Sequence, residues 1–194
     1  MTAIVLASTS RYRRELLARI VPDFVVQAPT VDETPLADET PLQTVQRLAK
    51  AKAEAVARDH PGAIVIGSDQ LAELDGRALG KAGTAEAACR QLAACSGKTV
   101  RFHTAVTLIA DGPDGKIHRH ATDCTRVVFR QLDEASIARY VAAEQPFDCA
   151  GSFKVEGLGI ALFSRVESDD PTALIGLPLI AVAQMLREAG VPLP

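Results

Sequence analysis

The chain has 194 residues, 47% of them hydrophobic and 23% charged, with a net charge of −3 at pH 7 and a pI near 5.8. That balance suits one sizeable core or two small lobes sharing a cleft, and it excludes a broad basic face for nucleic acid, so any phosphate recognition should be local. No stretch reaches the roughly 18 consecutive apolar residues of a membrane span and no signal-peptide h-region precedes the first strand-like run, so a cytoplasmic protein with no membrane partner is expected.

In chain order, "AIVLAS" reads as a buried strand, "RYRRELLARI" as a helix with Leu16, Leu17 and Ile20 on one face, and "DFVVQAP" as a strand ended by proline. "PLQTVQRLAKAKAEAVARDH" is the longest helical pattern, its apolar face running through Val45, Leu48, Ala49, Ala53 and Val56. "AIVIGSDQ" is the next apolar strand and "TAEAACRQLAAC" a helix. "GKTVRFHTAVTLIA" and "KIHRHATDCTRVVFRQL" form paired strands around the turn "DGPDGK". "DEASIARYVAAE" is a helix with Asp133 as N-cap, and "LIGLPLIAVAQMLREAG" is a Gly-Pro turn feeding a closing helix. With no repeat or linker, the second lobe reads as an insertion within one mixed α/β architecture.

Three features carry chemistry. Arg11, Arg13 and Arg14 open a helix at the end that is already partly positive, where acidic side chains would be stabilising. A strand-to-helix loop such as "ASTSRYR" can aim backbone N–H groups, the hydroxyls of Ser8, Thr9 and Ser10, and guanidinium forks at phosphate oxygens. The bland alternative is that Ser10 caps the helix and the arginines pair with Glu15 in solvent. Asp69 follows an apolar strand and a glycine, where open α/β sheets place ligand chemistry, and Glu33 in "VDET" could complete a Mg²⁺ site across a cleft. Turn chemistry explains both acids equally well taken singly. Lys52 and Lys81 are phosphate-binding candidates whose ordinary fate is solvent. His103, His118 and His120 lack a third ligand and read as structural, Asp169 and Asp170 as solvated loop residues. Cys89, Cys95, Cys124 and Cys149 lack CxxC spacing and read as buried thiols.

Taken together, "LASTSRYRRELL", "VDET", "LAKAKA", "IGSDQ", "LGK", "CSGKTV…TAV", "CAGSFKVEG" and "IGLPL", in this order, resemble the Maf family of nucleoside triphosphate pyrophosphatases over almost the whole chain. "SDQ" with "AGSFKVEGLGIALF" and "DDPTALIGLPLI" is similar to the branch acting on 7-methyl-GTP rather than the branch acting on dTTP and UTP. The resemblance implies a single domain over residues 1–194. Its fold would be a mixed twisted α/β sheet flanked by helices, with two lobes and a deep central cleft, as in Maf and ITPase-like proteins. It also implies hydrolysis of a nucleotide to its monophosphate and diphosphate with a divalent metal, Mg or Mn, and a homodimer is an expectation from the family alone. By position, Asp69 is the proton acceptor that activates water, and Tyr12, Gln70 and Lys154 stand at positions linked to substrate selection. Ser8, Arg13, Glu33, Lys52 and Lys81 line the phosphate and metal site, with Glu33 and Asp69 as the metal carboxylates. Arg11 stands where proline is frequent, and Ala82 follows Lys81 where "GKP" is frequent.

Methylation at N7 makes guanine cationic, for which an aromatic face and a carboxylate form a suitable pair, and Tyr12 and Glu156 are available. Packing beside the helix and solvation in a turn are the competing roles of these two. Other readings are a dTTP/UTP pyrophosphatase and a nucleotide-binding regulator of cell division.

Overall fold

The computed structural model describes residues 2–112 and 115–194. Its centre is a mixed seven-stranded sheet, with strand order β2-β1-β3-β5-β6-β7 and β4 paired to β3 outside that path. The strands are β1 (Ile4–Ala7), β2 (Val25–Gln27), β3 (Ile64–Leu74), β4 (Arg77–Leu79), β5 (Thr99–Gly112), β6 (Gly115–Phe129) and β7 (Phe163–Glu167). β1 runs parallel to β2 and β3, and all other pairs are antiparallel. The helices are α1 (Arg11–Leu17), α2 (Pro41–Ala57), α3 (Ala85–Cys95), α4 (Glu134–Glu144) and α5 (Leu179–Glu188).

Every expected helix and paired strand forms, and the closing register Gly112↔Gly115 brackets the expected turn, of which Pro113 and Asp114 lie outside the described residues. The sequence pattern did not anticipate β4 and β7, and it ended β3 at Gln70 although the strand continues to Leu74. β4 and β7 are short strands bearing exposed arginines, Arg77 and Arg165, and neither alternation nor length sets them apart from loop.

The long strands β3, β5 and β6 are shared by two cores. One gathers Leu6, Leu16, Leu17, Ile66, Leu108, Leu177, Val182 and Leu186 between the sheet and helices α1 and α5. The other gathers Leu92, Phe102, Phe129, Tyr140, Phe153 and Leu162 under α3 and α4. In it Phe153 packs edge-on against Phe102, Phe129 and Phe163 with ring centroids 4.7–5.7 Å apart. The opposite sheet face is covered by α2, whose start is fixed by a reciprocal cap. Thr40 Oγ1 accepts from Gln43 N at 3.3 Å, and Gln43 Oε1 accepts from Thr40 N at 2.9 Å.

Two details position the site. A Cβ on Gly67 would lie 2.5 Å from both Ala49 O and Ala53 N, so only glycine lets α2 settle this closely on β3. And β1 leaves β3 after the pair Ala7↔Gly67 while β4 joins it only at Ala72↔Leu79. Residues 68–71 therefore have no partner strand on that edge, and a cleft opens there between the two cores.

Candidate active site

The cleft encloses about 740 Å³. Ser8, Tyr12, Arg13, Glu33, Lys52, Asp69, Gln70, Lys81, Lys154 and Glu156 all line it, so the ten catalytic, substrate and metal candidates meet in one place, while Arg14 is not among the lining residues.

Asp69 sits on β3 facing α2, and Lys52 comes down from α2 to meet it. Lys52 Nζ lies 2.7 Å from Asp69 Oδ1 and 2.8 Å from Glu33 Oε1. Lys52 and Asp69 are buried, at 5% and 6% exposure, while Glu33 reaches in from a solvent-exposed loop. Solvent is thus the wrong environment for Lys52. Position 52 falls on the stripe of Val45, Leu48, Ala49, Ala53 and Val56, all buried, and a cation on that stripe needs a buried anion.

The arginines divide. Ser10 does cap α1, its Oγ accepting from Arg13 N at 3.4 Å, and Arg11 pairs in solvent with Glu15 at 3.2 Å; both follow the bland alternative. Arg13 instead turns inward, and its Nε donates to Gly176 O at 2.9 Å. Desolvation draws the Arg13 pKa down from its ordinary value, and the carboxylates of Asp69 and Glu33 oppose that shift. Ser8 is buried, and its Oγ accepts from Ser10 N at 3.1 Å, which holds the loop that aims Arg13.

Ser68 and Gln70 flank Asp69 on the strand and point to the opposite face, as alternation requires. Ser68 Oγ donates to the same Gly176 O at 3.1 Å. Gln70 Nε2 donates to Ala173 O at 2.8 Å, with Leu174 O at 3.1 Å and Thr104 Oγ1 at 2.9 Å also in reach. The Gln70 amide hydrogens are therefore committed to the protein.

At the other wall, Lys81 is exposed and its backbone bridges to Ala150. The loop after Ala150 is anchored by buried Phe153 and by Tyr140 Oη, which accepts from Lys154 N at 3.0 Å. Lys154 Nζ donates to Glu144 O at 3.2 Å, at the end of α4. Glu156 is exposed. Tyr12 faces this loop, and its hydroxyl is pushed up to about 12, first by burial and then by the nearby Cys149, Asp148 and Glu156. Arg11 stacks over the Tyr12 ring at 5.5 Å.

Sequence reasoning missed the backbone of residues 173–176, whose carbonyls hold Arg13, Ser68 and Gln70. "IGLPL" marked the segment, but no side-chain pattern reveals a carbonyl. It also missed Asp148 and Cys149 on the cleft wall. The reading of Asp170 as a solvated loop residue is corrected. Asp170 is 5% exposed and accepts from the backbone N of Thr172 and Ile180 at 2.9 and 2.7 Å. Asp169 is exposed, as read. His103 and His120 bond within the sheet, His103 Nε2 to Glu73 at 2.7 Å and His120 Nδ1 to Thr107 at 2.9 Å, while His118 is exposed. All four cysteines are free thiols, of which Cys95 is buried, Cys89 and Cys149 half-buried and Cys124 exposed, so the buried reading holds for Cys95 in full. No helix among the described residues is long and apolar enough to cross a membrane.

The Maf-like protein family model matches residues 3–189. The chain belongs to the Maf family. Among Maf relatives, the 7-methyl-GTP pyrophosphatase of Xanthomonas oryzae pv. oryzae (strain MAFF 311018) is 58% identical over 194 residues, covering 100% of both chains. The protein of that name from Cupriavidus metallidurans is 54% identical over 195 residues, covering 98% of this chain and 94% of its own. Among solved structures, the Staphylococcus aureus Ham1 protein superimposes with a TM-score of 0.45 at 22% identity, covering 66% of this chain and 72% of that one.

Proposed function

We propose that this Maf chain hydrolyses 7-methyl-GTP to 7-methyl-GMP and diphosphate. The observation that carries the reading is the cleft itself, which collects Arg13, Lys52 and Lys81 around the buried carboxylate of Asp69 on an unpaired strand edge. The names of the full-length relatives supply the substrate.

In this reading the attacking water gives a proton to Asp69 while its oxygen bonds the α phosphorus. The bond from the α phosphorus to the bridging oxygen breaks, and diphosphate leaves with the electron pair. Arg13 and Lys81 face the leaving group, since phosphoryl chemistry depends mainly on positioning and on cations where negative charge develops. Lys52 holds Asp69 and Glu33 as one unit.

Asp69 and Glu33 fit a divalent cation. Mg²⁺ usually takes one or two carboxylates and completes its shell with waters and substrate phosphates, and Asp69 Oδ2 and Glu33 Oε2 accept no hydrogen bond among the described residues. When bound, such an ion supplies charge neutralisation on the phosphates. No group of three or more His, Cys, Asp or Glu able to hold a metal occurs among the described residues, so in this reading the ion rests on these two carboxylates.

At the base end, Tyr12 offers a face to the cationic ring and Glu156 an acceptor to the guanine edge. The compartment that goes with this reading is the cytoplasm.

The test is diphosphate release by the purified protein with Mg²⁺ or Mn²⁺ across 7-methyl-GTP, GTP, dTTP, UTP and CTP, with a chelator control. Preference for 7-methyl-GTP, lost with chelator, is expected. Preference for dTTP or UTP keeps the chemistry and overturns the substrate; no release from any nucleotide overturns the enzyme reading and favours a nucleotide-binding regulator.

A further inference from the structure

We propose that Asp170 is a positioning residue for Arg13, acting through the carbonyl of Gly176. As a catalytic claim this rests on the reading of Arg13 as a phosphate-binding group; as a structural claim it stands alone.

Arg13 Nε and Ser68 Oγ both donate to Gly176 O, so where that oxygen points decides where the guanidinium points. Gly176 has φ +128°, a conformation that other residues rarely adopt, and the orientation of its carbonyl is not set by a helix or a strand. It must be imposed by what holds the segment on either side.

On the upstream side, Ala173 O and Leu174 O are held by Gln70 and Thr104 from the sheet. On the downstream side α5 begins after Pro178, which offers no side-chain acceptor to the free N–H groups of the first turn. Asp170 supplies it. Its Oδ2 accepts from Ile180 N at 2.7 Å, while Oδ1 accepts from Thr172 N at 2.9 Å and Thr172 Oγ1 at 2.6 Å. Thr172 Oγ1 in turn accepts from Leu179 N at 2.9 Å and has Leu177 O at 2.8 Å. One buried carboxylate and one hydroxyl thus tie position 172 to positions 177–180 and close the intervening chain into a loop. Asp170 is itself tied to the sheet, its N donating to Asp123 Oδ2 at 3.2 Å. Asp123, also buried, accepts from Thr125 and Ser168. The clamp therefore has a rigid base, and its product is a fixed Gly176 oxygen beside the cleft.

The test uses the full chain with Asp170→Asn, which replaces one acceptor oxygen by a donor, and Thr172→Val, which keeps the shape and removes the hydroxyl. Thr172→Ser is the conservative rescue. Turnover should fall about 10- to 100-fold in the first two, the usual scale for a displaced catalytic group, and recover in the third. In an Arg13→Ala background each added loss should shrink to about twofold or less, because residues acting through one another are not additive. Equal fold-losses in both backgrounds overturn the proposal and indicate general damage.

A second readout does not need activity. The Arg13 Nε hydrogen, assigned by NMR through an Arg13→Lys variant, should exchange slowly in the wild type and in Thr172→Ser, and quickly in Asp170→Asn and Thr172→Val. Unchanged exchange in those variants overturns the positioning claim, whatever the enzyme acts on. If no nucleotide is turned over but the exchange pattern appears, the nucleotide reading fails and the clamp stands.

Discussion

Lys52 Nζ stands between two carboxylates, 2.7 Å from Asp69 and 2.8 Å from Glu33, and of the three side chains only Glu33 is well exposed to solvent. A buried charge is tolerable only while paired, so removing one member leaves the other stranded. Lys52→Met should destabilise the fold by about 3–5 kcal/mol, the range for breaking a buried pair. In an Asp69→Asn background the same change should cost clearly less. Urea denaturation of the four proteins reads the cycle, and equal costs in both backgrounds would show that the pair is not coupled.

Asp69→Asn by itself should lower diphosphate release about 10²- to 10⁴-fold, the contribution of a positioned general base. Nucleotide affinity by calorimetry should stay within a few-fold of wild type, since Arg13 and Lys81 remain. A variant that turns over at a near wild-type rate removes Asp69 from the chemistry.

Gly67→Ala is predicted to act on the site from beneath it. The new methyl meets Ala49 O and Ala53 N at 2.5 Å, so α2 must lift, at a cost of about 1–3 kcal/mol for overpacking. Lys52 rides on that helix. The substitution should lower turnover more than Ala53→Gly does, although both alter the same contact. Thermal unfolding alongside kcat separates the two effects; a loss of stability with full activity contradicts the link between helix seating and the ion pair.

Tyr12→Ala should weaken 7-methyl-GTP more than UTP, because only the methylated base carries the positive charge that favours an aromatic face. KM for both nucleotides is the measurement, and equal losses point away from base recognition. Between pH 6 and 9 the profile should show no step from this hydroxyl, which burial pushes up to about 12.

Alkaline stability has a definite sign. Burial raises Cys95 from 9.0 to about 11 and Cys149 from 9.0 to about 12, with Asp148 adding to the second. Their folded values lie above their unfolded ones, so the folded state holds these protons more tightly. The associated stability is whole below pH 9 and is lost as pH rises through about 11 to 12. Urea midpoints should fall across that window, and Cys95→Ala should flatten the slope. An unchanged slope in that variant would exclude the Cys95 thiol as a source.

Much of the architecture is legible in the residue pattern alone. Periodicity located all five helices, because each has an apolar stripe to bury, and it placed Val45, Leu48, Ala49, Ala53 and Val56 in the interior. Ordered motifs along the chain named ten of the residues that line the cleft. Even the burial of Lys52 was legible in principle, since its number falls on that same stripe.

Tertiary structure alone decided which of those residues touch. Nothing local in "SRYRR" distinguishes Arg11, which pairs with Glu15 in solvent, from Arg13, which reaches Gly176 some 163 positions away. Asp169 and Asp170 are adjacent and chemically alike, yet one is exposed and the other clamps a loop, because only the chain's return to the sheet at Asp123 buries the second. The partnerless edge at residues 68–71 depends on where β1 stops and β4 begins, a matter of register between distant segments. Side-chain type and spacing report how each element meets water; the direction of a carbonyl and the partner of a buried charge are set by chain closure over long range, and that information resides in the packed fold.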